Sequence, residues 1–175
     1  MNAGNAPLMF LLRICEWIDS SRWSAIMHRS SWMFPALDVI HTLGIVLVAG
    51  VILIVDLRLL GLGLRGATVQ RVVARIVPAT LWGFLLMLVS GALLFSSEAV
   101  KMYRSGFFRV KMILILLAGL NALVFHRTVY RDANGWDPAA SPIRARIAGL
   151  LSLIFWIAII AAGRAIAYAP GYDLD

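Results

Sequence analysis

Five ionisable residues, Asp38, His41, Glu98, Lys111 and Arg164, are set into or beside long apolar runs. An ionised group inside a membrane span costs roughly 2.5–3.5 kcal/mol on insertion scales and turns towards the bundle interior or a partner. Asp38 and His41 are three positions apart, so one helix face carries both. An imidazole can ligate a metal or carry a proton, and Lys111 with Arg164 could clamp a carboxylate. Read as function, the set is an anion or cofactor pocket centred on His41. Read as structure, it is a salt-bridged ring that ties the bundle ends together, with Lys111 and Arg164 snorkelling to the interface. A second set, Asp56, Arg58, Arg75, His126 and Arg127, reads as an interfacial ion-pair network, and mid-span Asn121 as a hydrogen bonder between helices. His28 reads as interfacial, unless a folded-back N-terminal helix brings it towards His41. With three histidines and one cysteine, and no zinc-type spacing, phosphate loop or serine–histidine arrangement, a dedicated multi-ligand metal site is not expected.

The elements that must position these residues are four apolar runs, Phe34–Leu60, Ile76–Phe95, Met112–Phe125 (extending into Val129) and Ile147–Ala169. At about 1.5 Å of rise per residue, roughly 20 residues cross a bilayer core. The expected fold is therefore all-α, a bundle of four transmembrane helices. Pro35 suits the first turn of the first span and Pro78 the start of the second. Gly61 and Gly63 loosen the far end of the first span. The third span follows Gly106, and the fourth follows the turn-rich stretch Asp132–Pro142 and ends before Pro170. Small residues at Ala79 and Gly83, and at Ala158 and Ala162, permit close helix contact.

Depth sorts the polar groups. Let face A hold both termini and the loop between the second and third spans, and face B the opposite ends. His41 lies 17 positions before Arg58, about 25 Å by helix rise, whereas His126 adjoins Arg127 at face B. The two histidines should lie on the order of 20 Å apart along the membrane normal, which argues against one metal or haem shared between them. Basic residues on the two faces tie in number, and Arg164 lies within its span. The positive-inside rule therefore gives no clean orientation, and the expectation leans to face B as cytoplasmic, with both termini periplasmic.

Composition excludes other classes. With 61% hydrophobic residues and 14% charged, and a mean hydropathy of +0.86, the chain lacks the polar surface a soluble domain needs. The pI near 10.5 does not indicate nucleic acid, because the basic residues flank apolar spans, where lipid headgroups are their expected contacts. Residues 1–32 read as an amphipathic interfacial segment, 33–169 as the transmembrane domain and 170–175 as a tail. In the first segment Leu8, Leu11, Leu12, Cys15 and Ile18 recur at helical spacing between Arg13, Glu16 and Asp19; Arg22–Arg29 forms a second short helix, and Ser20-Ser21 caps the junction. No cleavable signal peptide is expected, since the first residues carry no basic side chain. Cys15, alone, reads as a small apolar residue.

The strings His41-Thr-Leu-Gly44, Val55-Asp-Leu-Arg-Leu-Leu-Gly61, Gly91-Ala-Leu-Leu-Phe95, Phe108-Arg-Val-Lys111, Gly119-Leu-Asn-Ala-Leu-Val-Phe-His126 and Ala162-Gly-Arg-Ala-Ile-Ala-Tyr168 resemble an uncharacterised family of bacterial four-helix membrane proteins, a domain of unknown function. That resemblance implies fold and a place in the bacterial inner membrane, and no activity. His41 on a glycine-containing helix ending in Asp-Leu-Arg-Leu-Leu, with Lys111 opening the third span, also looks like two further membrane families, the HemJ-type protoporphyrinogen oxidases and the copper-resistance D proteins. The former resemblance implies haem b, with His41 as axial ligand and Lys111 as a nearby essential cation. Three readings stay open: an accessory or structural membrane component, alone, as a homo-oligomer or within a larger complex; a haem b-binding redox protein using the His41 cluster; and a permease for small solutes or metal. The first is preferred, without an enzyme activity.

Overall fold

The computed structural model describes residues 6–63, 69–130 and 141–168. Two short helices come first, α1 (Ala6–Asp19) and α2 (Arg22–Arg29), followed by α3 (Met33–Leu59). Serines divide them. Ser20 Oγ donates to the Trp17 carbonyl at 2.8 Å, Ser21 Oγ accepts from Ser24 N–H at 3.3 Å, and Ser30 Oγ accepts from Met33 N–H at 3.3 Å. Each hydroxyl takes up a backbone group that a helix end leaves without a partner. Pro35 falls in the first turn of α3, as its missing N–H predicts.

The far end of α3 is closed rather than loosened. Gly61 adopts φ +75, and Leu62 N–H bonds the Leu57 carbonyl at 3.0 Å while Gly61 N–H bonds that of Arg58 at 3.2 Å. This pair is a Schellman cap, which requires a left-handed residue that glycine adopts without strain.

Helix α4 (Val69–Ser97) begins nine residues before Pro78, so this proline lies inside the helix and does not open it. The apolar run that begins at Ile76 marks where membrane-apolar sequence starts, whereas the helix extends through the more polar turns before it. A proline is tolerated inside a span where neighbouring groups take up the freed carbonyls. Short α5 (Ala99–Arg104) turns the chain, and Ser105 Oγ accepts from Phe108 N–H at 3.3 Å to start α6 (Gly106–Val124), six residues ahead of the apolar run. The end of α6 widens into a π-helical turn (Phe125–Val129), with Thr128 Oγ1 donating to the Val124 carbonyl at 2.6 Å. Helix α7 (Ile143–Tyr168) completes the bundle.

Helices α3, α4, α6 and α7 are each long and apolar enough to cross a membrane, making this a multi-pass membrane protein. Helix α3 packs on α4, α6 packs on α7, and α3 meets α7 between them, giving the lateral order α4–α3–α7–α6. The two outer helices share no comparably extensive contact; Phe95 of α4 and Phe108 of α6 stack with centroids 5.6 Å apart at face A. No residue of α6 is buried, so its apolar sides face lipid. Glycines set the inner seams: a Cβ at Gly83 would lie 2.8 Å from Val48 Cγ2, and one at Gly149 would lie 3.2 Å from the Asp56 carbonyl oxygen. A buried cluster of Leu59, Val73, Phe125 and Ala145 closes the bundle at face B.

Candidate functional site

On α3, His41, Gly44 and Val48 recur at i, i+3 and i+7 and turn towards α4. There Gly83, Met87, Ser90 and Gly91 form the complementary stripe, with a Cβ at Gly44 falling 3.1 Å from Met87 Cγ. Gly91 makes room for the imidazole, because a Cβ on it would lie 3.0 Å from His41 Cε1. Ser90 then fixes the ring. Its hydroxyl donates to the Leu86 carbonyl at 2.6 Å, which commits its only proton. The 2.9 Å contact between Ser90 Oγ and His41 Nδ1 must therefore run from Nδ1–H to the hydroxyl oxygen. In the neutral ring this places the lone pair on Nε2; the Met87 backbone also lies within hydrogen-bonding reach of the imidazole.

Lys111, in the second turn of α6, is half-buried and lies over α7, with Nζ 3.6 Å from where a Gly163 Cβ would stand. It is close enough to interact electrostatically with both Asp38 and His41, yet it forms no ion pair within 4.0 Å among the described residues. Asp38, His41 and Lys111 thus form one electrostatic group at face A, contributed by α3 and α6. The other two expected members turn elsewhere. Arg164 donates to Tyr168 Oη at 2.7 Å and sits over the same ring, 5.0 Å from its centroid. Glu98 pairs with Lys101 at 2.9 Å. Each takes a partner within four positions in sequence, so the expected ring of five reduces to three interacting groups.

Face B differs more from expectation. The interfacial ion-pair network does not form among the described residues, where Lys101–Glu98 is the only salt bridge. Asp56 and Arg58 are both buried, at 4% and 2% exposure. Arg58 Nη1 donates to Ser141 Oγ at 3.3 Å. Arg75, His126 and Arg127 are exposed, and His126 lies against the Tyr130 ring, 5.1 Å between centroids. His126 belongs to the π turn at the opposite end of the bundle from His41, in agreement with the depth argument. Asn121 Nδ2 donates to the Ala148 carbonyl at 3.0 Å, the expected bond between α6 and α7.

The N-terminal helices fold back on face A. His28 Nε2 donates to the Ser97 carbonyl at 3.0 Å, Ser24 Oγ donates to the same carbonyl at 3.1 Å, and Trp23 Nε1 donates to that of Leu93 at 3.3 Å. His28 is therefore an anchor on the end of α4. An apolar groove of about 530 Å³ separates α1 from the bundle, lined by Leu11, Cys15, Phe95, Tyr103, Phe108 and Arg109 among others. The Cys15 thiol is buried there, and burial, followed by Asp19 and Glu16, pushes its pKa up. Sequence spacing does not mark Ser90, and Gly91 enters only within the string Gly91-Ala-Leu-Leu-Phe95; Ser141 is not marked either. A serine–glycine pair inside an otherwise apolar span was the available signal for the first two.

A family model described as a family of unknown function (DUF6644) matches residues 14–169. No significant match was found among curated proteins or among solved structures, so neither comparison carries the HemJ-type or copper-resistance D resemblance.

Proposed function

The chain belongs to this family of unknown function, DUF6644, and we propose that within it the protein is an accessory membrane component that holds a metal-centred, carboxylate-bearing ligand at His41, with haem b as the ligand class. The observation that supports this reading is the chain Leu86 carbonyl–Ser90 hydroxyl–His41 Nδ1. A ring nitrogen tied to a hydroxyl while the other keeps its lone pair is the arrangement that orients a ligating histidine. Lys111 supplies the second requirement, a half-buried cation that forms no ion pair among the described residues and interacts electrostatically with that ring, suited to a carboxylate.

In this reading haem b would have one protein ligand. His41 would hold the iron through Nε2 and Lys111 would hold a propionate, whereas His28 donates to a backbone carbonyl and His126 lies at the opposite face. Bound haem supplies one-electron exchange at iron. What the chain itself contributes is orientation of the imidazole by Ser90, space for it at Gly91, and a positive charge at Lys111. The open lateral order of the helices, with α4 and α6 outermost, leaves apolar faces for a second copy or a larger membrane complex. We place the protein in the bacterial inner membrane with both termini periplasmic.

The test is purification from haem-replete cells followed by pigment extraction. Wild-type protein is expected to carry haem b, Lys111→Met to retain less of it, and Glu98→Gln to retain as much as wild type. Colourless wild-type protein, folded and monodisperse, contradicts the reading.

A further inference from the structure

Asp56 is the most deeply buried carboxyl of the described residues, 4% exposed near the face B end of α3. Its Oδ2 has no hydrogen-bond partner, and it forms no ion pair among the described residues. Helix α7 covers it closely, since a Cβ at Gly149 would lie 3.2 Å from the Asp56 carbonyl oxygen and 3.6 Å from its Cα. Ser152, one turn further along α7 on the face of Gly149, is close enough to interact with the carboxyl. The charged groups on the surrounding elements are engaged elsewhere or exposed. Arg58 of α3 reaches Ser141; Arg144 and Arg146 of α7, Arg71 and Arg75 of α4, and His126 and Arg127 of the π turn are exposed. None forms a salt bridge with Asp56.

An ionised carboxylate in such a seam is unfavourable, because burial removes its water and, among the described residues, no cation pairs with it and only the Ser152 hydroxyl is in reach to offset the loss. Ionisable groups kept inside spans without a fixed partner belong to proton or ion pathways. We propose that Asp56 is a cation-acceptor site in the α3–α7 seam that takes up one small monovalent cation, a proton or an alkali metal ion, from face B. This site is independent of His41, which lies at the other end of α3.

Dicyclohexylcarbodiimide tests it, because this apolar reagent adds to the acid form of a membrane-buried carboxyl. The acid O–H adds across one N=C bond to give an O-acylisourea, which rearranges to an N-acylurea with no atom lost. Protein in liposomes is expected to gain one reagent mass on Asp56 by peptide mass spectrometry, and D56N to gain none there. Labelling that falls with rising pH, and is indifferent to sodium, identifies the proton; protection by sodium over choline at fixed pH identifies the alkali ion. S152A, which retains the carboxyl, is expected to shift the midpoint of protection and keeps the test open if D56N fails to accumulate. Absence of an Asp56 adduct at every pH, or a rate insensitive to both pH and sodium, overturns the proposal.

Discussion

At the residue scale the account turns on which nitrogen of His41 is free, and Ser90 decides it. Ser90→Ala removes the acceptor for Nδ1–H, and leaving such a donor unsatisfied costs about 1–3 kcal/mol. We expect a lower thermal midpoint and weaker ligand retention in Ser90→Ala, with Ser90→Thr close to wild type; equal ligand retention in Ser90→Ala and wild type would remove the orienting role. Cys15 gives an independent check on the N-terminal segment. Its burial against the bundle and its raised pKa keep the thiolate scarce at neutral pH. Alkylation followed by mass spectrometry should be slower in the native protein than after unfolding, and faster as pH rises. Equal native and unfolded rates would mean that α1 does not cover the thiol. Sequence alone located His41 and Lys111, because an ionisable group in an apolar run stands out. Ser90 stayed hidden, since serine is tolerated in spans and its value depends on which helix faces it. Helix rise puts Arg164 and Glu98 at face A, but spacing does not reveal that each takes a near neighbour in sequence, Tyr168 or Lys101.

At the element scale, the two central seams depend on glycine. A methyl at Gly83 would collide with Val48 and Leu47 at 2.8–3.1 Å, whereas Gly50 has nothing within 4 Å. Gly83→Ala should therefore force α3 and α4 apart and destabilise the fold by about 1–3 kcal/mol, while Gly50→Ala is neutral or slightly stabilising through helix propensity. Thermal unfolding in detergent distinguishes them, and matching midpoints would refute the packing assignment. The apolar runs gave the helices their existence and order, but not their ends. Helices α4 and α6 extend beyond their apolar runs through polar turns, because backbone hydrogen bonding does not stop where hydrophobicity does. The π turn at Phe125–Val129 and the cap at Gly61 are backbone solutions that side-chain periodicity does not encode.

At the scale of the whole molecule, four spans place the N-terminal helices and the end of α7 on one face. Reporter fusions before α1 and after α7 should give the same signal, and a reporter inserted between α3 and α4 the opposite one; unlike signals from the two end fusions would contradict the four-span topology. The bundle separates two chemistries by its thickness, a histidine with a cation at face A and, at face B, a buried carboxyl without an ion pair among the described residues. This separation is legible from helix rise alone, which is why the sequence itself argues against one haem between His41 and His126. Which helices are neighbours was not legible, and the order α4–α3–α7–α6 is what brings Lys111 to Gly163 and Ser152 to Asp56.

The most direct measurement is a haem titration of the purified protein followed by its absorption spectrum. The account predicts saturable one-to-one binding with a Soret band that is lost in His41→Ala and retained in His28→Ala and His126→Ala. A band that survives unchanged in His41→Ala would contradict it.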